Sequence, residues 1–262
     1  MYGFDYQRPA DARAAVAASG GDSRYLAGGQ SLVQAMKLRL SQSERLVDLG
    51  RAEDLRGICI DGDRVVVGAM TRHAEVAASP LVRQAIPALA ALAGGIGDPM
   101  VRNMGTLGGS VANADPAACY PAAVLGLGAT VHTDRRTIAG DAFFTGLYET
   151  ALEPGELIVS VAFPAPVQAA YAKFKQPASR FALVGVFVAR TAQGVRVAVT
   201  GCRSHAFRAT AIEQALGAAF TPEAARAAEV PADDFNSDLH GSAEYRAAMV
   251  RVMAARAVAA AQ

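Results

Sequence analysis

Two glycine-centred stretches hold the residues best suited to chemistry in this chain. The first is Ala27-Gly28-Gly29-Gln30-Ser31-Leu32. The second is Thr106-Leu107-Gly108-Gly109-Ser110, running on into Val111-Ala112-Asn113-Ala114-Asp115-Pro116. A backbone without side chains can bring several N–H groups close to one anion, and a helix start adds a partial positive charge of roughly half a unit. Both stretches read as tightly turned segments leading toward a helix start, with Ser31 as the N-cap of the helix after the first. Facing each other, they would hold a pyrophosphate from two sides without a Lys or Arg. Neither is a P-loop, which needs Gly-x-x-x-x-Gly-Lys-Ser/Thr, and neither has the Rossmann spacing Gly-x-Gly-x-x-Gly. The residues alone leave two readings: a phosphate-bearing ligand that is not hydrolysed as a nucleoside triphosphate, or a pair of ordinary glycine turns.

The other chemistry-prone side chains read as structural. His73, His132, His205 and His240 are scattered, and no pair has metal-ligand spacing. Cys59, Cys119 and Cys202 form no CxxC pair and no zinc or iron–sulfur set. Cys59 alternates inside a strand and reads as core, whereas Cys202 ends a strand beside Arg203 and could be partly exposed. Arg102 is open between a ligand neighbour and a solvated charge. No Ser-His-Asp or paired-carboxylate arrangement stands out, so neither a catalytic group nor a metal ligand is assigned.

The elements that must position the two stretches follow from pattern. Residues 9–19 read as a helix opened by Pro9, residues 24–26 as a strand entering the first stretch, residues 32–39 as a helix, and residues 45–49 as a strand. Residues 58–60 and 64–70 form a hairpin turned at Asp61-Gly62-Asp63. Thr71 starts a short helix. Ser79-Pro80 caps a longer one through about Ala93, and Asp115-Pro116 opens a helix over 117–127. Residues 130–132 and 136–138 are a second hairpin, and residues 157–163 a closing strand. Pro164-Ala165-Pro166 is the best boundary in the chain. Beyond it come three antiparallel strands (169–175, 181–190, 194–202) and helices over 209–216, 222–228 and 242–260.

Composition narrows the class. The 262 residues suit two or three subdomains. A net charge of +1 gives no electrostatic reason to invoke nucleic acid or an acidic membrane surface. No run approaches the roughly 20 apolar residues of a membrane span. The N-terminus lacks a signal-peptide pattern, and the sparse, odd cysteine count suits a reducing compartment. The expectation is a cytoplasmic protein with no membrane span and no nucleic-acid partner.

A resemblance goes further. Ala27 to Leu32, continuing to Met36-Lys37-Leu38-Arg39, resembles the first FAD signature of the medium subunit of molybdenum-containing hydroxylases, the carbon monoxide dehydrogenase and xanthine dehydrogenase family. Val101-Arg102-Asn103-Met104-Gly105-Thr106-Leu107-Gly108-Gly109-Ser110, with Asn113 to Ala118, resembles the second. Tyr171-Ala172-Lys173-Phe174 and Phe181 to Val186 are similar to the start of the family's C-terminal domain. The resemblance implies an α+β fold: a two-part FAD-binding domain of the vanillyl-alcohol-oxidase/PCMH-like type, residues 1–55 and 56–165, then a C-terminal domain, residues 166–262, with an antiparallel sheet covered by helices. It implies that Ala27, Gly28, Gly29, Gln30, Ser31, Leu32, Thr106, Leu107, Gly108, Gly109 and Ser110 hold the pyrophosphate and adjoining sugar of FAD. Asp115 falls on the flavin side, and Leu183 where the family presents an apolar contact. Cys119 departs from the pattern: the family commonly has Asp there, bonding the ribityl chain, and a thiol is a poor substitute. Tyr120 could lie against the isoalloxazine or be packed in a helix.

The family also implies partners: a large subunit with a molybdopterin-type molybdenum cofactor and a small subunit with [2Fe-2S] clusters. The expected function is that of the FAD-carrying electron-transfer subunit of a heterotrimeric molybdenum hydroxylase, alone or as a dimer of heterotrimers. It would pass electrons from the clusters to a terminal acceptor. Two readings from other classes compete. One is a self-contained flavin oxidase, which activity of the isolated chain would favour. The other is an assembly subunit without bound FAD, to which Cys119 lends weight.

Overall fold

The computed structural model describes residues 1–261, an α+β arrangement of three main sheets. Strands β1 (Asp5–Gln7), β2 (Ser23–Leu26) and β3 (Arg45–Asp48) form a parallel sheet in the order β1-β3-β2. Helix α1 (Ala12–Ala18) links β1 to β2, and α2 (Leu32–Lys37) links β2 to β3. Helix α1 starts later than the sequence suggests. Asp11, not Pro9, ends it, because the Asp11 carboxylate accepts the Ala14 N–H at 2.7 Å and satisfies an amide that would be orphaned. Ser31, read as the N-cap of α2, already has helical backbone angles and makes no capping bond.

The second sheet begins with the expected hairpin, β4 (Ile58–Asp61) and β5 (Arg64–Gly68). Cys59 is exposed on this edge strand and is not core. Six helices follow: α3 (His73–Ala78), α4 (Pro80–Ala85), α5 (Pro87–Gly94), α6 (Pro99–Met104), α7 (Leu107–Asn113) and α8 (Tyr120–Leu127). The single helix expected over 80–93 is two. Pro87 lacks an N–H and forces Ile86 out of the helical region, to φ −141°. Helix α8 opens at Tyr120 and not at Ala117. Asp115 turns its carboxylate onto the Ala117 N–H at 2.8 Å, forming a local turn, and Pro121 then sits in the first helical turn. Strands β6 (Thr130–Thr133) and β7 (Thr137–Ala139), a small hairpin β8 (Phe144–Gly146) and β9 (Glu149–Thr150), and β10 (Ile158–Pro164) complete this part. The sheet order is β4-β5-β10-β6-β7.

The third sheet is antiparallel in sequence order: β11 (Gln168–Lys175), β12 (Ala182–Thr191), β13 (Gly194–Thr200) and β14 (Phe207–Arg208). Helices α9 (Thr210–Ala218), α10 (Pro222–Ala227) and α11 (Ala243–Ala260) follow. Strand β12 is apolar on both faces because both are covered. Val184, Val186 and Val188 pack with Val250 and Met253 of α11, while Phe187 and Ala189 join the core of α8. Gly126 permits that second contact, since a Cβ there would meet Phe187 Cδ1 at 2.7 Å. Cys202, expected to be partly exposed, is 0% exposed, and burial pushes its thiol up to about 12.

Candidate functional site

The two glycine stretches, far apart in sequence, lie side by side, the first against the backbone of Met104-Gly105 that leads into the second. A Cβ on Gly28 would lie 2.1 Å from the Met104 carbonyl oxygen and 2.7 Å from Gly105 Cα. A Cβ on Gly109 would meet Thr106 Oγ1 at 2.9 Å and Ala27 Cβ at 3.2 Å. Gly29 has φ +70°, which lets the chain turn from β2 into α2. Between the stretches and the β11–β12 hairpin opens a cleft of about 410 Å³, within the usual range for small-molecule sites of roughly 300–1,000 Å³.

The stretches do not contribute alike. Among the described residues, the N–H groups of Gly28, Gly29, Gln30, Ser31 and Leu32 donate to no protein acceptor. This run of unspent amides lines the cleft. The second stretch is no loop: Gly108 and Gly109 form the first turn of α7, and Thr106 is its N-cap. Its amides are largely spent. Leu107 N–H goes to the Thr71 carbonyl at 3.0 Å, Gly108 to Ala69 at 2.8 Å, Gly109 to Thr106 Oγ1 at 3.2 Å and Ser110 to the Thr106 carbonyl at 3.0 Å. Of the two stretches, then, the first offers open amides to the cleft and the second faces it as a wall of close-packed small residues. A Cβ on Gly108 would meet Ala69 Cβ at 2.5 Å, so that wall cannot be rebuilt with larger residues in place.

Ala27, Gly28, Gly29, Gln30, Ser31 and Leu32 all line the cleft, as do Thr106, Gly108, Gly109, Ser110 and Asp115. Leu107 does not, because its side chain is 0% exposed in the core. Leu183 also stands away from the lining, and its carbonyl accepts Arg246 Nη1 at 2.8 Å. Asp115 faces Tyr148, whose phenol is pushed up by burial first and Asp115 second. Tyr120 is fully buried and packs on His73 with ring centroids 5.4 Å apart, so the packed reading of Tyr120 is the one observed. Arg102 is a brace: its Nη1 donates to the Ile96 carbonyl at 3.0 Å and to Gly97 at 3.3 Å.

Several lining residues escape sequence reasoning. His73 reaches the cleft beneath Gly105, where a Cβ would stand 2.6 Å from its Nε2. Its pKa is pushed down to about 4, by burial and then by Arg102, which keeps the ring neutral at neutral pH. Lys173 on β11 sends its ammonium to the Gly95 carbonyl at 2.7 Å and to Cys119 Sγ at 3.4 Å. Phe181, at the turn into β12, lines the cleft while 49% exposed. The strand alternation that sets Lys173 on the same side as Tyr171 was a usable signal; nothing in the sequence shows that this side faces the cleft. Among the described residues no group of three or more His, Cys, Asp and Glu side chains is placed to hold a metal ion. The site offers donors and shape, with no nucleophile–base pair.

Comparison with known proteins gives this cleft a context. Residues 2–166 match the family model described as the FAD binding domain in molybdopterin dehydrogenase. The chain is 38% identical to the carbon monoxide dehydrogenase medium chain of Hydrogenophaga pseudoflava, over 98% of this chain and 96% of that one. It is 37% identical to the nicotine 6-hydroxylase medium subunit of Paenarthrobacter nicotinovorans, over 90% and 89% respectively. Among solved structures, carbon monoxide dehydrogenase from Hydrogenophaga pseudoflava, in a form lacking the Mo-pyranopterin moiety of the molybdenum cofactor, superposes with a TM-score of 0.89 at 39% identity, covering 98% of this chain and 96% of that one. Quinoline 2-oxidoreductase from Pseudomonas putida 86 gives a TM-score of 0.89 at 29% identity, covering 99% and 96%.

Proposed function

The chain belongs to the family of FAD-binding domains of molybdopterin dehydrogenases, and from that premise we propose that it is the FAD-carrying electron-transfer subunit of a heterotrimeric molybdenum hydroxylase. It is an oxidoreductase subunit that binds FAD. Its expected partners are a large molybdenum-binding subunit and a small subunit with [2Fe-2S] clusters. The observation that carries the reading is the run of unspent amides from Gly28 to Leu32, lining a cleft closed on its other side by α7.

The residues present fit a dinucleotide. Five successive N–H groups without protein acceptors are costly unless an anion or water takes them, and a pyrophosphate supplies the oxygens. Gly28 to Leu32 would donate to it, and Thr106 and Ser110 face it from the start of α7. Asp115, held by the Ala117 N–H, is an acceptor further along the cleft. Lys173 and Cys119 offer a donor and a soft, weakly accepting sulfur. Phe181 lines the cleft at the turn into β12 and offers it an apolar ring. When bound, FAD supplies a ring that takes electrons singly or in pairs, so it can connect one-electron clusters to a two-electron acceptor. The protein need only hold and shield it. The chain's own cysteines cannot ligate clusters: Cys59 is exposed on β4, while Cys119 and Cys202 are buried apart from it. No helix of the described residues is long and apolar enough to cross a membrane. A cytoplasmic location, suggested by the sparse cysteines, belongs to the same proposal.

The test is direct. Purified chain or complex, unfolded and filtered, should release a flavin identified as FAD by mass, and the apo chain should regain the visible flavin band on adding FAD. Gly109→Val should lose it, since the branched group would enter the space already filled by Thr106 Oγ1 and Ala27 Cβ. Full flavin occupancy in that variant, or none in the wild type, overturns the reading.

A further inference from the structure

The cleft is electropositive although the chain as a whole is nearly neutral, at +1. The cations Arg24, Lys173 and Arg180 line it, against the carboxylates of Asp115 and Glu156. Glu156 is already paired with Arg136, which leaves Asp115. The Lys173 ammonium donates to the Gly95 carbonyl at 2.7 Å. Arg180 has no such commitment: it is exposed, and among the described residues its guanidinium enters no salt bridge and no hydrogen bond. Its backbone is unusual as well. At φ +61° it adopts a left-handed conformation that suits glycine and strains any residue with a Cβ. The turn between β11 and β12 enforces this. The Gln176 N–H donates to the Phe181 carbonyl and the Arg180 N–H to the Gln176 carbonyl, each at 2.9 Å. The Gln176 side-chain oxygen accepts from the Ser179 N–H at 2.6 Å and from Ser179 Oγ at 3.1 Å. Glycine would meet this geometry freely, yet the turn carries an arginine, on the bank facing the open amides of Gly28 to Leu32. Arg24 also lacks a partner, but it stands on β2 without a left-handed backbone.

We propose that Arg180 is a binding residue for an anionic group of bound FAD, meeting it from the bank opposite the amides. The inference rests on the proposed function and deepens it. Amides supply hydrogen bonds but no net charge, so a diphosphate held by Gly28 to Leu32 alone keeps its negative charge uncompensated. A guanidinium carries the missing charge on a planar fork of N–H donors that matches anionic oxygens. Donors without a protein acceptor on one bank and a cation without a counter-ion on the other make one set for one anion. Backbone strain concentrates where a side chain must be presented to a ligand, and here it falls on that cation. FAD has two groups of this chemistry. The diphosphate is charged in every redox state, whereas the flavin ring gains negative charge on reduction, which a nearby cation favours.

The experiment uses the protein as purified, with its flavin in place. FAD release is measured by filtration and flavin quantitation, from oxidised and from reduced protein, at rising salt. Arg180→Gly carries the decisive sign. Glycine is the residue this backbone prefers, so if Arg180 served only the turn, the variant would hold FAD at least as long as wild type. Instead it should release FAD about tenfold faster, the loss of one charge-assisted hydrogen bond, and the acceleration by salt seen in wild type should largely vanish. Arg180→Gln removes the charge, keeps the strain and should match it. Arg180→Lys keeps the charge without the fork and should fall between. A redox titration separates the two groups. Faster release in both states at an unchanged potential assigns the diphosphate. Faster release from the reduced protein alone, with the potential lowered by about 30 mV per tenfold, assigns the ring. Wild-type release rates from Arg180→Gly in both states overturn this inference and leave the proposed function standing. A wild-type protein that neither carries nor takes up FAD overturns the proposed function, and this inference with it.

Discussion

Gly28→Ala separates the effect of position from the effect of charge at the amide run. The added Cβ would stand 2.1 Å from the Met104 oxygen, 2.7 Å from Gly105 Cα and 2.8 Å from the Met104 carbonyl carbon. All three are backbone atoms, so no side chain can swing aside. Gly28 is absent from the residues with positive φ, so alanine brings no conformational strain and the cost is steric. Restoring an ordinary separation of roughly 3.5 Å to the oxygen requires the two stretches to part by more than about 1 Å. Overpacking of this kind costs about 1–3 kcal/mol. The cost divides between two observables. Whatever the apo chain cannot relax lowers its melting temperature, by about 2–4 °C per kcal/mol at this chain length. Whatever it does relax, by letting the stretches part, must be reversed when FAD draws the amides back, and so appears as lost affinity. If relaxation is complete, Kd rises about 5- to 150-fold.

Calorimetric melting of the apo chain and FAD titration by flavin fluorescence measure the two shares. Gly29→Ala is the comparison. Its φ of +70° costs alanine about 1 kcal/mol or more in both states, while its nearest neighbour is the movable Val33 Cγ2 at 3.1 Å. That variant should melt lower yet bind FAD nearly as well as wild type. A Gly28→Ala chain with wild-type melting and an unchanged Kd would refute the idea that backbone contact with the Met104–Gly105 segment sets the amides in place.

Substitutions at two further residues test supports of the fold. Glu156, whose side chain is 0% exposed, accepts from Arg136 Nε at 3.0 Å and Nη2 at 2.9 Å, from Thr133 Oγ1 at 2.7 Å and from the Glu153 N–H at 2.7 Å. The Arg136 hydrogen bonds chiefly hold its pKa down to about 2, from 4.5 when unperturbed. A depressed carboxylate stabilises the fold above its unfolded pKa and loses that contribution as pH falls through its folded one. Melting should therefore drop between about pH 4.5 and 2, and Glu156→Gln should flatten that part of the profile; an identical acid limb in both proteins would count against it. Arg246, 4% exposed, donates to the Leu183 and Gly201 carbonyls at 2.8 Å each and to both Asp238 oxygens at 2.8 Å. Arg246→Met should cost about 2–4 kcal/mol in denaturant unfolding, less than a wholly buried pair because Asp238 is half exposed. Arg246→Lys should not restore it, since one ammonium cannot span both carbonyls and the carboxylate.

The strands were legible because their signal is local. Asp61-Gly62 marks its hairpin, and the apolar run of β12 announces a strand covered on both faces. Helix starts were legible only where one capping group had no rival. At residues 9–12, Pro9 and Asp11 both signal a start, and the carboxylate that reaches an amide wins. At 115–121 two Pro-containing starts compete. Asp115 spends its carboxylate on a turn, Ala114 enters the left-handed region at φ 47°, and the helix waits for Tyr120. The break at Ile86-Pro87 was written in the sequence, since a proline seven residues into a helix cannot be absorbed without losing a hydrogen bond. The fates of Cys59 and Cys202 were not, because alternation along a strand does not say which face a neighbouring helix will cover.

The site divides along the same line. Glycine identity reveals where backbones must approach, and Gly28 and Gly109 do touch the opposing stretch. It does not reveal whether an amide is spent. Two stretches with nearly the same composition end in opposite roles. Gly108 follows a cap and enters a helix whose first amides reach Ala69 and Thr71. Gly28 precedes a helix that starts without a side-chain cap, because Ser31 is itself helical. A capping Ser31 would accept the N–H of Val33 or Gln34, so the open donors from Gly28 to Leu32 come from the turn into α2 and not from the missing cap. On the proposed function these are the donors offered to a diphosphate.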